Sequence, residues 1–350
     1  MIAKISEKVP VPRRKKIPSS MIIAVLTVAL VLLFFLSLCI GRYGIPPGQL
    51  LEIIAANFGG TPLGGTAETV IFYVRLPRIL AAVMIGAALA VSGAAYQGLF
   101  RNPMVSPDIL GASAGAGFGA ALAILLSFDS WGIQISAFLF SLAAVTITYL
   151  TATVIGRKNG AVLTMILVGI VISSLFSSLI SIAKYAADTD DKLPAITFWL
   201  MGSLSSVGIG DAKILALALI IGAIPIFLLR WKLNIVSFGD EEARNMGVDV
   251  NRIRPLIIAG ASLLTAAAVS IGGMIGWVGL IIPHIARFLV GPNYKILLPV
   301  SLICGSLFLL AIDDIARNAF AAEIPLGILT SLIGAPFFVF LLWKGKKSWV

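Results

Sequence analysis

Long apolar runs recur from one end of the chain to the other, separated by short polar segments. The clearest of these runs are 21–40, 79–97, 137–155, 161–183, 214–229 and 326–343. A bilayer-spanning helix requires roughly 20 predominantly apolar residues, so these runs are long enough or nearly so. Strands of a membrane β-barrel would alternate polar and apolar positions over about ten residues, and these runs do not alternate. The pattern therefore predicts an all-α integral membrane protein.

Read along its whole length, the chain is expected to have about ten transmembrane helices, some of them broken or re-entrant. The predicted ranges are 20–42, 78–98, 108–127, 134–155, 161–183, 211–230, 255–271, 277–290, 296–312 and 325–343. The break is expected between the seventh and eighth, where Gly272, Gly273, Gly276 and Gly279 interrupt the apolar pattern. Non-helical backbone is tolerated at membrane depth only where protein buries it or where it lines a water-filled cavity.

Composition supports a membrane protein over a soluble one. Hydrophobic residues make up 59% of the chain and charged residues only 12%, whereas soluble domains carry about 25% charged residues. The two cysteines, Cys39 and Cys304, each lie inside an apolar run. They are interpreted as small buried side chains, and a disulfide framework is not supported.

The distribution of basic residues predicts the orientation. If the N-terminus is placed inside and the spans alternate, 19 of the 26 basic residues fall on the inner side. This positive-inside bias predicts that both termini are cytoplasmic. The net charge of +10 then reflects topology, and nucleic-acid binding is not inferred from it. The predicted division is a cytoplasmic basic segment at 1–19, a membrane domain at 20–344 with a cytoplasmic inner loop at 231–254, and a cytoplasmic tail at 345–350.

Small residues recur at helical spacing in the second and third predicted spans. They are Gly86, Ala90 and Gly93 in the second span, and Gly111, Gly115 and Gly119 in the third. Such spacing lets helix backbones approach closely. A phosphate-binding loop would end in Lys followed by Ser or Thr, and the glycine-rich stretch 111–119 does not end in this way. Nucleotide binding by such a loop in this chain is therefore not expected.

A stripe of serines follows one side of the fifth predicted span. Its members are Ser173, Ser174, Ser177, Ser178 and Ser181. Two interpretations stay open. The hydroxyls can bond to neighbouring helices or to their own backbone, or they can line an aqueous pathway.

The inner loop contains a candidate docking element at 239–247, with the sequence GDEEARNMG. Glu242, Ala243 and Arg244 suit a short helix, and Gly247 suits its C-terminal stop. A short helix on the cytoplasmic face could dock a soluble partner. The alternative is an ordinary solvated loop.

Three arginines lie on the otherwise sparsely basic outer side: Arg75, Arg78 and Arg317. They could attract acidic partners or anionic ligands, or their side chains could snorkel to the membrane interface. Asp313 and Asp314, near a span end, are expected to be solvated.

Catalytic and metal-binding chemistry is not indicated. His284 is the only histidine, and neither a cysteine nor a carboxylate cluster accompanies it in the sequence, so a structural role is expected and no metal site is predicted. The sequence shows no arrangement of nucleophile, base and acid, so the chain is not expected to be an enzyme.

Three segments resemble signature regions of the FecCD-type permeases, the transmembrane subunits of ABC importers for ferric siderophores, haem and cobalamin. They are VRLPRILAAVMIGAALAVSGAAYQGLFRNPMVSPDILGASAGAGFGA (74–120), IGWVGLIIPHIARFLVG (275–291) and EIPLGILTSLIGAPFFVFLLWK (323–344). The resemblance extends over almost all of the chain after about residue 20.

The resemblance implies ten helices per subunit, a second permease subunit (a homodimer is expected), two cytoplasmic ATP-binding subunits and an extracytoplasmic substrate-binding protein. ATP and Mg would bind to the partner ATPase, and no cofactor is expected in this chain. The resemblance also implies three sets of site residues. These are Arg75, Arg78 and Arg317 for docking of the binding protein, Gly239, Glu242, Ala243, Arg244 and Gly247 for coupling to the ATPase, and Ser173, Ser174, Ser177, Ser178 and Ser181 for lining the pathway.

The expected location is the cytoplasmic membrane of a bacterium or archaeon. A ferric siderophore is the default ligand, followed by haem or cobalamin, and the sequence does not decide among them. Homodimer and heterodimer both stay open. The alternative function is a secondary transporter driven by an ion gradient, which would usually carry charged or coordinating groups near the bilayer midplane.

Overall fold

The computed structural model describes residues 18–156, 161–320 and 322–345. Their α-helices are α1 (Ser19–Cys39), α2 (Pro47–Phe58), α3 (Thr66–Thr69), α4 (Leu76–Leu99), α5 (Ala112–Leu125), α6 (Ser130–Ile155), α7 (Ala161–Ala186), α8 (Lys192–Met201), α9 (Ile209–Leu228), α10 (Arg230–Val236), α11 (Asp240–Asn245), α12 (Val250–Gly272), α13 (Val278–Val290), α14 (Tyr294–Asn318) and α15 (Leu326–Gly345). A π-helical segment, Val70–Arg75, joins α3 to α4, and a 3₁₀-helix, Pro107–Leu110, precedes α5. The predicted segments 1–19 and 345–350 lie outside the described residues, apart from 18–19 and 345.

The all-α prediction is confirmed. Within the described ranges, seven helices are long and apolar enough to cross a membrane, and three shorter apolar helices accompany them. These helices fall on the ten ranges that the sequence predicts. The number that cross the bilayer and the cytoplasmic placement of both termini stay predictions.

Helix α4 lies at the centre of the bundle and packs against α12, α13 and α14. Its small residues explain this position. A Cβ atom added to Gly86 would collide with the carbonyl group of Gly305 on α14, and one added to Gly93 would collide with the backbone of Gly279 on α13. Because these backbones touch directly, α4 is almost entirely buried. The predicted close packing of the second span is confirmed.

The glycine spacing of the third span divides between two roles. Gly115 and Gly119 pack against the backbone of α6, at Phe140 and Ser136. Gly111 instead precedes α5 with a φ of 87°, a left-handed conformation that favours glycine. Gly111 therefore joins the 3₁₀-helix to α5, whereas the sequence pattern placed it on the packing face of the third span.

The chain also leaves the helical conformation between α12 and α13. Helix α12 ends at Gly272, and Gly273 (φ 71°) and Trp277 (φ 69°) both adopt positive φ values. The predicted interruption between the seventh and eighth spans is confirmed. A Cβ atom on Gly279, just after this break, would collide with the ring of Pro107 in the 3₁₀-helix. The two interruptions are therefore in direct contact.

Candidate functional site

Arg75 secures the C-terminal end of α1. It lies in the π-helical segment, is 4% exposed, and donates hydrogen bonds to the backbone carbonyls of Leu38 (2.6 Å), Cys39 (3.2 Å) and Tyr43. The last carbonyl groups of a helix have no partner within the helix, and a cation there also interacts favourably with the helix dipole. Arg75 therefore supplies hydrogen-bond donors to the free carbonyl groups at the end of α1, and both partners belong to this chain.

Arg78 lies between two acids of the same chain. Its Nη2 atom is 2.9 Å from Oδ1 of Asp313 on α14, and its Nη1 atom is 2.9 Å from Oε2 of Glu323 in the segment before α15. The Arg78 side chain is 8% exposed, that of Asp313 is fully buried, and that of Glu323 is 34% exposed. Charged hydrogen bonds of this kind are stronger than neutral ones.

Arg317 completes this arrangement. Its Nε atom is 3.3 Å from Oδ2 of Asp313, and its Nη2 atom bonds to Asp314 and to Oγ of Ser37 on α1 (3.0 Å). We name Arg78, Arg317, Asp313, Asp314 and Glu323 the outer ion network. It joins α1, α4, α14 and the segment before α15.

The expectation that Asp313 and Asp314 are solvated is wrong. Asp313 is fully buried and the side chain of Asp314 is only 12% exposed. The spacing of Asp313 and Arg317, four residues apart on one helix, was an available signal, since such residues share a face. Partners on other helices, such as Arg78, could not be read from spacing.

Docking of a binding protein by Arg75, Arg78 and Arg317 stays a prediction. All three side chains are buried, and each already has partners in this chain. An incoming carboxylate would have to compete for Arg78 with Glu323, the most exposed acid of the outer ion network.

The short helix predicted in the inner loop is present as α11. Gly239, which precedes it, has a φ of 147°, and a Cβ atom there would collide with the carboxylate of Glu242. Ala243 is fully buried, Glu242 and Arg244 are exposed, and Gly247 adopts a φ of 77° just after the helix. The predicted helix and its glycine stop are confirmed. Their role in coupling to an ATPase stays a prediction.

An ion pair connects α11 to a membrane helix. The Nη2 atom of Arg254 on α12 lies 2.8 Å from Oδ2 and 3.0 Å from Oδ1 of Asp240, the first residue of α11. The Arg254 side chain is 8% exposed. By contrast, the nearby pair of Arg252 and Asp249 is 3.0 Å long but 87% and 51% exposed. In the sequence, Arg254 ends the predicted inner loop at 231–254, and no local spacing there indicates Asp240 as its partner.

Two large apolar side chains flank α11 and are exposed. Phe238 is 70% exposed and Met246 is 58% exposed, on either side of the polar residues of α11. Exposed apolar residues grouped with charged ones are typical of a protein-docking surface. The surface formed by Phe238, Met246, Glu242 and Arg244 is the candidate inner docking surface.

The serine stripe lies on an open side of α7. Ser174, Ser177, Ser178 and Ser181 are exposed, and Ser173 is half-buried. Two of the hydroxyls bond to their own helix, from Ser178 to the carbonyl of Ser174 and from Ser181 to that of Ser177, each at 3.0 Å. The stripe is thus available to water or to a second subunit, and both interpretations given above remain compatible with it.

Comparison with known proteins decides the family. A model of the FecCD transport family matches residues 29–344. This chain belongs to the FecCD transport family. Because FecCD proteins are permease subunits of ABC transporters, the chain is a multi-pass membrane permease of an ABC importer. The family also implies an ATPase and a substrate-binding protein as partners.

Two FecCD relatives and one solved structure illustrate the similarity. The molybdate import system permease protein MolB of Haemophilus influenzae is 41% identical over 323 residues, covering 92% of this chain and 95% of that protein. An iron chelatin transport system permease protein of Helicobacter pylori is 40% identical over 277 residues, covering 79% of this chain and 83% of that protein. A metal-chelate type ABC transporter in an inward-facing conformation is 39% identical with a TM-score of 0.83, covering 93% of this chain and 99% of the other.

Proposed function

We propose that this FecCD permease forms the translocation pathway of an ATP-driven importer for metal–organic chelates. A ferric siderophore is the first candidate cargo, and haem or cobalamin follows. The pathway would receive cargo from a binding protein on the outer side and would be driven by two ATPase subunits below a pair of permeases. The expected location is the cytoplasmic membrane of a bacterium or archaeon.

The observation that carries this proposal is the inner docking surface and its attachment to α12. Ala243, in the middle of α11, is buried, and Asp240 at its start is paired with Arg254, so α11 is held at its start and at its centre. Movement imposed on α11 by an ATPase would therefore be passed to α12. Helix α12 packs against α4, α6 and α9, which gives that movement a route into the bundle.

A small oxyanion is the second candidate cargo. It is favoured by one observation, the 41% identity to a permease named for molybdate import. The relatives therefore support an importer of metal-containing cargo as a class.

The proposal is tested by reconstituting the permease in proteoliposomes with its ATPase and binding protein. Uptake of a ferric hydroxamate, haem, cobalamin and molybdate is measured with and without ATP. We expect ATP-dependent uptake of a ferric chelate. Uptake that persists without ATP and follows an imposed ion gradient would support a secondary transporter and refute the proposal.

A second experiment tests the coupling role of the Asp240–Arg254 pair. Asp240→Asn should lower the stimulation of ATPase activity by loaded binding protein several-fold while the complex still assembles, because α11 loses its attachment to α12. Exchanging the charges, Asp240→Arg with Arg254→Asp, should restore part of it. The exposed pair supplies the control, since Asp249→Asn should leave stimulation unchanged; equal effects of the two asparagine variants would contradict the coupling role.

A further inference from the structure

A cavity lies where the two interruptions of the helical backbone meet. Its volume is about 480 Å³. Its polar lining consists of Asp108 in the 3₁₀-helix, Ser113 on α5 and Ser331 on α15, and its apolar lining includes Met201 and Met274. We name this space the junction cavity.

The junction cavity lies at membrane depth and opens beside the exposed Ser331 and Leu332 of α15. Pro107 of the 3₁₀-helix lies against Gly279, and Gly279 in turn lies against Gly93 of α4. Gly93 is about 9 Å from the C-terminal end of α4 at 1.5 Å per residue, so these contacts fall within the span of that helix. Irregular backbone at such a depth is tolerated where it is buried in protein or lines a water-filled cavity. Substrate sites of membrane transporters are commonly built at discontinuous helices for this reason.

Asp108 is the notable residue of this cavity. Its carboxylate accepts a hydrogen bond from Oγ of Ser113. Among the residues that the structure describes, every ion pair involves other acids, so Asp108 has no basic partner. The buried Asp313, by contrast, contacts two arginines. An ionisable side chain at membrane depth without an oppositely charged partner is a candidate for binding the transported cargo.

The cavity lies close to α7, the helix that carries the serine stripe, because α5 packs against both. A Cβ atom built on Gly111, three residues after Asp108, would lie 3.3 Å from Oγ of Ser173 on α7. One built on Gly117 would lie 2.9 Å from Ile180 of α7 and 3.4 Å from the sulfur atom of Met274. Gly111, just before α5, and Gly117, on α5, therefore both lie against α7, and Met274 of the cavity lining lies beside Gly117. A group moving along the serine stripe would pass beside the cavity.

We infer that the junction cavity is a subsite of the translocation pathway that binds a hydrogen-bond-donating or positively charged group of the cargo through Asp108. This inference rests on the proposed function and narrows its substrate class. Amide, hydroxyl or ammonium groups of a chelate would pair with the carboxylate, and the methionine side chains supply an adaptable apolar wall. A small oxyanion would meet a like charge without a compensating cation, which selects against it.

The electrostatic part of the inference is tested without any cargo. In a chain with Cys39 and Cys304 replaced by alanine, and assembled with its ATPase, Ser331→Cys is labelled with a cationic and with an anionic methanethiosulfonate reagent. We expect the cationic reagent to react faster. Adding Asp108→Asn should lower the ratio of the two rates about tenfold, as removal of a unit charge that lines the same cavity predicts.

Two controls make this measurement specific. Ser181→Cys lies eight residues, about 12 Å, beyond Ser173 on α7, so its rate ratio should not respond to Asp108→Asn because salt screens charges beyond about 8–10 Å. Ser113→Ala removes the hydrogen bond but keeps the carboxylate, so the preference for the cationic reagent should persist. A rate ratio at Ser331→Cys that Asp108→Asn does not change would overturn the inference.

The substrate class is tested by uptake in the reconstituted importer. Asp108→Asn should lower ferric hydroxamate uptake at least about fivefold at unchanged assembly, as loss of a charged hydrogen bond predicts, and the parent should not take up molybdate. Molybdate uptake by the parent at a rate comparable to that of the ferric chelate would overturn selection by charge. If no cargo is taken up but the labelling ratio shifts as expected, the proposed function fails and the charged cavity stands.

Discussion

Replacing Asp313 by asparagine removes one negative charge from the outer ion network and keeps the shape of the side chain. Asp313 is fully buried and contacts both Arg78, at 2.9 Å, and Arg317, at 3.3 Å. In Asp313→Asn these two guanidinium groups would share a buried space with one carboxylate fewer. Breaking a buried pair by removing one partner costs about 3–5 kcal/mol, because a charge is left uncompensated.

The matched control is Asp249→Asn in the exposed pair with Arg252. The pair distances are nearly equal, at 3.0 Å and 2.9 Å, so burial is the main difference between the two sites. Exposed pairs contribute only about 0.2–1 kcal/mol. Asparagine also preserves the capping bond that Asp249 accepts from the backbone of Asn251.

The assay is thermal unfolding of the purified permease in detergent, followed by the loss of the monodisperse peak in size-exclusion chromatography. Asp313→Asn should lower the midpoint clearly, and Asp249→Asn should leave it close to that of the parent. Equal midpoints for all three proteins would refute the reasoning, since the outer ion network would then contribute no more than a surface pair. A low midpoint for both variants would show that the effect is not specific to burial.

Two further predictions concern packing and the pathway. Gly93→Ala should destabilise the permease by about 1–3 kcal/mol or more, because the added methyl group meets the backbone of Gly279, whereas Gly276→Ala, with nothing within 4 Å of its Cβ position, should be tolerated in the same thermal assay. Ser177→Cys should react with polar thiol reagents, at a rate that changes when nucleotide binds to the ATPase; equal protection in every nucleotide state would instead favour burial of the stripe against another helix.

The class of protein and most of the helix positions follow from the pattern of apolar residues alone. Non-alternating runs of about 20 apolar residues predict membrane helices, because only a helix forms all the backbone hydrogen bonds of such a segment within the segment itself. Glycine positions also predicted where helices end, because the conformation of a helix end depends on neighbouring residues in the chain. Gly247 follows α11 with a positive φ. The glycines around 272–279 interrupt the helical conformation between α12 and α13, as their positions predicted.

The partners of the charged side chains, by contrast, depend on how the helices pack. Arg78 and Asp313 are 235 residues apart in the chain, and Asp240 and Arg254 face one another across a loop, so neither pairing has a sequence period that could reveal it. The same holds for Asp108, whose position in the junction cavity depends on two helix breaks more than 160 residues apart coming into contact. The length of an apolar run predicts whether that segment spans the membrane. The environment of a polar side chain depends instead on which helices pack beside it, and those helices can be distant in the sequence.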